Sequence, residues 1–232
     1  MKRFLLKLSG EALAGPGRST GFDDETITGV AMQVKELVDE GKQIAVVIGG
    51  GNFWRGRSSG SMKRSKADQI GMLATIMNCL YVSEIFRSCG MKTVTMTPFS
   101  CGGFTSLYSY DEAVKALSEG TVVFFAGGTG HPYFSTDTAT VLRAIEIHAD
   151  EILLAKSVDG VYTGDPDEDP DAVKLDQISI QEVVDRRLGV MDLTASILCM
   201  EQKMPVLVFS LTDENGIVRA ARGEGQGTVI TV

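Results

Sequence analysis

The sequence predicts an α/β fold in which a mainly parallel β-sheet carries helices on both faces. Short apolar segments alternate with longer amphipathic segments almost throughout the 232 residues, as expected when strands are joined by crossover helices. Several apolar segments are nearly continuous, which is typical of strands that are buried on both faces. We expect one continuous sheet, with a functional seam near residue 150 where the composition changes.

The predicted elements follow in order along the first half of the chain. Strands are expected at residues 3–9, 43–48, 92–97 and 121–126, and helices at 23–40, 67–88 and 109–118. Apolar residues recur at helical spacing in the first helix, Asp23 or Asp24 can cap its start, and Gly41 occupies the position of a terminating glycine. Ser109 and Glu112 have the spacing of a capping box at the start of the third helix.

The same alternation continues through the second half. We expect helices at residues 136–149 and 193–203, a further helix that begins at Ser179-x-x-Glu182, and strands at 151–155, 205–210 and 228–232. A polar loop at 159–171 follows the strand at 151–155. Because ligands of open α/β sheets bind beyond the carboxyl ends of the strands, the segments that follow the strands are the candidate site.

Composition and charge exclude several classes of function. The net charge of −8 argues against nonspecific binding of nucleic acid, which calls for a basic surface. Two histidines do not supply a zinc site, and the four scattered cysteines, Cys79, Cys89, Cys101 and Cys199, are expected to be reduced, mostly core thiols. A hard cation that arrives with a phosphate ligand stays open.

The sequence is not expected to contain a membrane-spanning helix or a signal peptide. No apolar stretch is expected to approach the ~18–20 residues that a membrane helix needs. The N-terminal segment MKRFLLKLSGE has an apolar patch that is too short for a signal peptide. We therefore expect a cytoplasmic protein.

Two glycine-rich segments that follow predicted strands are the strongest indication of function. Residues 45–56, AVVIGGGNFWRG, place three glycines and Arg55 after an apolar run, and residues 124–131, FFAGGTGH, form a second glycine-rich strand end. Glycine lets the backbone approach a ligand closely, and arginine can bind phosphate or carboxylate oxygens. Since neither a P-loop nor a GxGxxG fingerprint is present, we expect a different cradle for two anionic occupants.

Four polar features allow two interpretations each. Lys7 is either an edge-strand lysine that reaches solvent or a cation that points at a phosphate. Asp137 lies near the start of the helix predicted at 136–149. It either caps this helix or belongs to the site, where the amides at a helix N-terminus favour anions. His131 fits a loop hydrogen-bonding residue better than a general base. The basic segment at 55–66 is either a solvated loop or a mobile loop that closes on phosphates.

Six segments together resemble a known family. They are LLKLSGEAL (5–13), VVIGGGNFWRG (46–56), ADQIGMLATIMN (67–78), GTGHPYFSTDT (128–138), VDGVYTGDP (158–166) and VMDLTA (190–195). In these segments the chain resembles, nearly from end to end, the bacterial UMP kinases (uridylate kinases) of the amino-acid-kinase superfamily. Each segment alone is weakly specific, whereas the combination is highly specific.

The resemblance implies a fold, an activity and an assembly. The fold is a three-layer αβα sandwich that forms a single domain over residues 1–232, with a UMP-binding part at roughly 1–150 and an ATP-binding part at roughly 151–232 plus the strand end at 7–10. The activity is transfer of the ATP γ-phosphoryl group to UMP, giving UDP and ADP, with Mg²⁺ held through nucleotide phosphates. The enzyme would act in pyrimidine nucleotide biosynthesis as a cytoplasmic, allosteric homohexamer.

The resemblance also assigns site residues, each by its match to a family position. The ATP-binding residues are Lys7, Leu8, Ser9, Gly10, Gly51, Arg55, Lys156, Tyr162 and Asp165. The UMP-binding residues are Gly50, Asp68, Thr129, Gly130, His131, Pro132, Tyr133, Phe134, Ser135 and Thr136. The catalytic residues are Lys7, Arg55, Asp137 and Asp192. The chain departs from the family pattern at His131, at Lys156 and in the segment 15–24.

Two alternatives to a UMP kinase stay open. A sibling kinase of the superfamily would phosphorylate a carboxylate or carbamate, but Asp68 and the loop at 129–136 favour a nucleotide acceptor. A nucleotide-binding or storage protein on the same fold would lack turnover, but the presence together of Lys7, Arg55 and Asp137 favours catalysis. A nicotinamide oxidoreductase is more distant, because the dinucleotide fingerprint is missing.

Overall fold

The computed structural model describes residues 2–15, 17–54, 62–164, 166, 169, 171–225 and 227–232. The strands are β1 (Arg3–Leu8), β2 (Gln43–Ile48), β3 (Thr93–Thr97), β4 (Ser106–Leu107), β5 (Val122–Phe125), β6 (Glu151–Lys156), β7 (Val161–Tyr162), β8 (Lys174–Leu175), β9 (Gln177–Ser179), β10 (Val206–Ser210) and β11 (Thr228–Thr231). The helices are α1 (Asp24–Asp39), α2 (Arg64–Ser88), α3 (Tyr110–Ser118), α4 (Thr136–Glu146), α5 (Ile180–Asp185), α6 (Leu193–Gln202) and α7 (Gly216–Arg222). A short 3-10 helix (Glu11–Ala14) follows β1.

One sheet runs through the described part of the chain. Its nine strands have the order β4-β3-β5-β2-β1-β6-β10-β11-β9, while β7 and β8 form a separate two-stranded ribbon. Every neighbouring pair in the large sheet is parallel except β10 and β11, which are antiparallel. The mainly parallel sheet is therefore confirmed, and β1 lies near its middle.

The core has two halves, one on each face of the sheet. On one face, buried side chains of α1, α2 and α7 pack against the sheet, with Phe86 and Phe124 in edge-to-face contact at 5.2 Å between ring centroids. On the other face, buried side chains of α3, α4, α5 and α6 form the second half. This arrangement is the three-layer αβα sandwich that the resemblance implies.

Most predicted element boundaries agree with the structure, and their capping residues explain why. The Asp23 carboxylate accepts the Thr26 amide at 2.9 Å, and Ser179 accepts the Glu182 amide at 3.1 Å. Gly41 follows α1 with a φ of 80°, a conformation that glycine adopts without strain.

Three sequence predictions about helices need correction, and one helix was not predicted. Ser109 stands at the start of α3, but its side chain makes no capping hydrogen bond. The helix expected at 67–88 begins three residues earlier, at Arg64, and the helix expected to reach residue 149 ends at Glu146. α7 was not predicted, because seven residues, Gly216–Arg222, are too few to show helical periodicity. Arg222 ties α7 to α1 through Glu36 and Glu40.

The expectation about apolar stretches is wrong for α2. Among the described residues, this helix alone is long and apolar enough by length and composition to cross a membrane, with half of the relevant window buried inside the protein. Cys79, Val82 and Phe86 are completely buried in it, and the helix packs on β2, β3 and β5. α2 is apolar because it is part of the core.

The four cysteines are free thiols, as expected. Burial raises the pKa of Cys79 and of Cys199 to about 12. Since the thiolate is the reactive form, these two side chains act as small apolar core residues. Cys89 and Cys101 are partly exposed.

Candidate active site

Three neighbouring strands end at one edge of the sheet and define the candidate site. β1 lies between β2 and β6 and is parallel to both, with Lys7 opposite Val47 on one side and Leu154 on the other. The interpretation of Lys7 as an edge-strand lysine is therefore wrong. Its side chain is 13% exposed, and it leaves the sheet at the carboxyl end, where parallel sheets bind ligands.

The turn after β1 touches the turn after β2, and this contact requires Gly10. A Cβ atom at this position would lie 2.3 Å from the carbonyl oxygen of Gly49 and 2.6 Å from Oδ1 of Asn52. Any other residue would force the two turns apart. The glycines thus serve close approach of backbone to backbone, and they leave the edge of the sheet open beside Lys7.

A buried pair of amide side chains fixes these turns to α2. Asn52 Nδ2 donates to Asn78 Oδ1 at 3.0 Å, and Asn78 Nδ2 donates to Asn52 Oδ1 at 2.8 Å and to the Gly49 carbonyl at 2.6 Å. Asn52 is 1% exposed and Asn78 is completely buried. Buried polar groups must be paired to be tolerated, so each amide depends on the other.

Lys7 forms an ion pair with Asp137 at the start of α4. The distance from Lys7 Nζ to Asp137 Oδ1 is 2.9 Å, and the Asp137 side chain is 23% exposed. The helix cap is Ser135, whose Oγ accepts the amides of Asp137 and Thr138 at 3.0 and 3.1 Å. Asp137 is therefore not the cap, and its carboxylate is available to orient the lysine ammonium.

Asp192 connects the starts of two helices. It accepts hydrogen bonds from the hydroxyls of Ser135 and Thr138, the latter at 3.1 and 3.2 Å, and from the Ala195 amide at 3.1 Å. The last contact caps α6, and the first two hold α4 beside it. In the structure Asp192 thus positions Ser135, which is itself part of the wall of the site. The assignment of Asp192 as catalytic stays a prediction.

A cavity of about 270 Å³, the first cavity, opens where β1 and β2 end. Residues from the two glycine turns, the start of α2 and the start of α4 form its wall: Lys7, Ser9, Gly10, Gly49, Gly50, Gly51, Trp54, Ala67, Asp68, Gly71, Met72, Thr75, Gly128, Phe134, Ser135 and Thr136. The N-terminus of α4 faces this space, and its amides and dipole favour a bound anion. Together with the Lys7 ammonium, they make the cavity suitable for a phosphate.

A larger cavity of about 470 Å³, the second cavity, lies beyond the end of β6. Lys156, Gly160, Tyr162, Gly164 and the segment 186–190 form most of its wall. The Tyr162 hydroxyl donates to Asp159 at 2.7 Å, and Lys174 also pairs with Asp159 at 2.8 Å. These contacts fix the loop that carries Tyr162 against the second cavity.

Lys156, at the end of β6, lines the second cavity. Its Nζ donates to the Gly189 carbonyl at 3.3 Å and to the Val190 carbonyl, so it holds the segment that leads to Asp192. Burial is the main cause that lowers the pKa of Lys156; the Asp137 carboxylate opposes this shift, and the Lys7 charge adds to it. The charges of Lys7, Asp137 and Lys156 are therefore close enough to influence one another.

The loop at 129–136 is divided between two spaces. Phe134, Ser135 and Thr136 line the first cavity, whereas Thr129 and His131, again with Phe134, line a groove of about 760 Å³ between α4 and α6. Gly130 donates to the Gly127 carbonyl at 3.1 Å, and Pro132 follows in the same loop. Tyr133 is 68% exposed, so the loop residues do not all converge on one ligand position.

Three other predicted residues need separate comment. The Leu8 side chain is completely buried in the core, so Leu8 can meet a nucleotide through its backbone alone. Arg55 and Asp165 lie outside the described residues.

Sequence reasoning missed several polar residues that support the site. Besides the amide pair, the Thr75 hydroxyl accepts the Gly127 amide at 2.8 Å, and Trp54 Nε1 donates to the Ala67 carbonyl at 2.8 Å. Thr75 and Ala67 both belong to α2, so this helix carries both glycine-rich segments. The partners are far apart in sequence, and no local pattern marks them.

Comparison with known proteins agrees with this architecture. The sequence matches the Amino acid kinase family over residues 2–210. A UMP kinase structure from Bacillus anthracis aligns with a TM-score of 0.94 at 35% identity, covering 99% of this chain and 96% of that one. A UMP kinase from Ureaplasma parvum aligns at 0.93 and 32% identity over 100% and 99% of the two chains.

A more distant structure shares the same fold over its whole length. Uridylate kinase from Archaeoglobus fulgidus aligns with a TM-score of 0.74 at 27% identity, covering 100% of both chains. The chain belongs to the amino acid kinase family.

Replacing Asn78 should destabilise the protein through its buried partners. Asn78→Ala removes the hydrogen bonds that Asn78 donates to Asn52 Oδ1 and to the Gly49 carbonyl, while Asn52 Nδ2 keeps the Gly21 carbonyl. We therefore expect the free energy of unfolding to fall by about 2–3 kcal/mol. Gln69→Ala, at an exposed position of the same helix, should change it by less than ~0.5 kcal/mol. Urea denaturation measures both, and equal effects of the two substitutions would contradict the role of the amide pair.

The lowered pKa of Lys156 predicts a pH dependence of stability. Between the lowered value and the ordinary 10.5, the unfolded chain holds a proton that the folded chain has released, so stability rises with pH in this window. The free energy of unfolding of the native protein relative to Lys156→Met should therefore increase from neutral pH toward 10.5. Lys156→Arg, which does not titrate there, should miss this increase. A difference that stays constant or decreases would contradict the prediction.

Proposed function

We propose that this member of the amino acid kinase family is a UMP kinase, which transfers the γ-phosphoryl group of ATP to UMP to give UDP and ADP. The observation that carries the proposal is the position of the Lys7–Asp137 ion pair, 2.9 Å long. Lys7 lines the first cavity, and Lys156, on the adjacent strand, lines the second. UMP would occupy the first cavity and ATP the second, so their phosphates would meet beside Lys7.

The first cavity suits a nucleotide better than a carboxylate or carbamate acceptor. Asp68 lines it with a side chain that is 16% exposed, and a carboxylate accepts hydrogen bonds from sugar hydroxyls. A small carboxylate or carbamate offers no sugar hydroxyl to this acceptor. The similarity to UMP kinases at 35% and 32% identity supports the same choice.

The proposed reaction needs positioning and charge stabilisation more than proton transfer. A phosphate oxygen of UMP attacks the γ-phosphorus of ATP, and the bond from that phosphorus to the β–γ bridging oxygen breaks, leaving ADP. The attacking oxygen is already ionised near neutral pH, so no general base is required. Lys7 stabilises the charge on the transferring group, and Asp137 holds the ammonium in place before the nucleotides arrive.

We also propose that Mg²⁺ enters with ATP. Among the described residues no cluster of three His, Cys, Asp or Glu side chains could hold a metal ion, and Asp137 is paired with Lys7. The side chains thus fit a cation that the nucleotide phosphates hold, and they do not fit a metal cage of the protein itself. When bound, Mg²⁺ would neutralise part of the phosphate charge.

For the assembly, we propose a cytoplasmic homohexamer that acts in pyrimidine nucleotide biosynthesis. An exposed apolar stripe supports self-association: Leu73, Met77 and Tyr81 recur at intervals of four on α2, and they are 54%, 49% and 37% exposed. Such stripes on soluble proteins commonly mark interfaces. Light scattering that gives the mass of a monomer would contradict the assembly.

A direct test of the function is an assay of ADP release across candidate acceptors. We expect turnover with UMP and ATP, weaker turnover with CMP, and none with carbamate, aspartate or N-acetylglutamate. Turnover with a carboxylate or carbamate acceptor instead would identify a sibling kinase. Binding of UMP and ATP without release of ADP would indicate a nucleotide-binding protein without turnover.

Lys7→Ala should lower kcat by about a hundredfold or more, corresponding to about 3 kcal/mol of transition-state stabilisation. Lys35→Ala, which removes an exposed i,i+4 pair with Asp39 on α1, is the control and should leave kcat unchanged. Thermal melting shows whether each variant is folded. A folded Lys7→Ala protein with nearly normal turnover would show that Lys7 does not stabilise the transferring group.

A further inference from the structure

A second ion pair lies at the rim of the first cavity, and the proposed reaction does not use it. Arg64, the first residue of α2, points its Nε at both carboxylate oxygens of Asp68, at 3.1 and 3.0 Å. The two residues are one helical turn apart. The Arg64 side chain is 44% exposed, whereas that of Asp68 is 16% exposed. The arginine therefore covers the carboxylate from the solvent side.

The same carboxylate holds a distant loop. The Tyr133 amide donates to Asp68 Oδ2 at 2.8 Å, across 65 positions of sequence. The Arg64 guanidinium also lies over the Tyr133 ring, 5.6 Å from its centroid, within the range of a cation–π contact. Arg64, Asp68 and Tyr133 thus form one cluster, which we call the rim cluster.

The backbone of Tyr133 shows that the loop is held in place. The φ angle of Tyr133 is 74°, which lies in the left-handed region. For a residue that has a side chain, this conformation is unfavourable in free energy, and neighbouring contacts must offset the cost. The two contacts from α2 supply this. An exposed i,i+4 ion pair alone is worth little, and the third partner distinguishes the rim cluster from an ordinary surface pair.

The Asp68 carboxylate keeps capacity for a ligand. Its two oxygens offer about four acceptor positions; the single Arg64 Nε–H is shared between them, and Tyr133 uses one more. The remaining capacity faces the first cavity, whose wall includes Asp68. Because Arg64 and Tyr133 fix the plane of the carboxylate, a sugar hydroxyl meets an acceptor that is already oriented, which lowers the entropic cost of binding.

We propose that Arg64 is a positioning residue that sets the preference of the site for a ribonucleotide over a deoxyribonucleotide. Arg64 acts in two ways. It orients the Asp68 carboxylate toward the sugar hydroxyls, and its guanidinium contacts the Tyr133 ring, which helps to hold the loop around Tyr133 against the start of α2. The proposal rests on the proposed function, since it takes UMP as the acceptor. A ligand that lacks the 2′-hydroxyl would gain less from the oriented carboxylate.

Calorimetry with UMP and dUMP on the full-length protein tests this proposal without turnover. Arg64→Ala should weaken UMP binding by about tenfold, the equivalent of one lost charge-assisted hydrogen bond, and dUMP binding by much less. The ratio of the two dissociation constants should fall severalfold. Arg64→Lys should restore part of the ratio, because it keeps the charge but loses the planar guanidinium. In steady state, KM for UMP should rise while kcat and KM for ATP stay nearly unchanged.

Arg87→Ala is the matched control. Arg87 lies on the same helix, is 47% exposed, and pairs with Glu84 at 2.7 Å. It should leave both dissociation constants unchanged.

Three results with Arg64→Ala would overturn the proposal. The first is an unchanged ratio of the dissociation constants for UMP and dUMP. The second is tighter binding of UMP, which would mean that Arg64 competes with the sugar, and the third is a loss of kcat with an unchanged KM for UMP. If Arg64→Ala does not fold, Arg64→Lys carries the same comparison, and a ratio equal to that of the native protein overturns it. Failure of the native protein to bind UMP would instead contradict the proposed function.

Discussion

The ion pair between Lys7 and Asp137 is the interaction on which the rest of the site depends. The lysine leaves the central strand β1, and the carboxylate belongs to the first turn of α4, so the pair forms only when sheet and helix are correctly packed. Both side chains are mostly shielded from water, and at such a site a cation acts strongly on a nearby phosphate. The pair orients the ammonium before any ligand arrives, as electrostatic catalysis requires.

The surrounding polar contacts hold this pair in place from three directions. Asn52 and Asn78 fix the glycine turns to α2, Asp192 fixes the start of α4 to α6, and Lys156 fixes the segment before Asp192 to β6. All of these groups are at least partly buried, where a missing partner costs free energy. The polar contacts around the Lys7–Asp137 pair are therefore mostly shielded from water, whereas in the rim cluster the Arg64 side chain is 44% exposed and Tyr133 is 68% exposed.

The sequence predicts those features that local pattern controls. Hydrophobic periodicity and caps such as Asp23 and Ser179 give most element boundaries. The glycine segments after β2 and β5 both contribute residues to the wall of the first cavity, and their role in function stays a prediction. The sequence could not show that β1 is the central strand. Its position depends on strands that come later in the chain and pair on both of its edges, with β2 on one side and β6 on the other. Nor could the sequence show that Asn52 pairs with Asn78 or that His131 faces the groove between α4 and α6, since these depend on contacts between distant segments.

The most direct test of the central claim is a crystal structure with UMP and a non-hydrolysable ATP analogue bound together. We expect UMP in the first cavity, the analogue in the second, and the facing phosphates within hydrogen-bonding distance of Lys7 Nζ. Nucleotides bound far apart, or phosphates that leave the Lys7 ammonium without a contact, would contradict it.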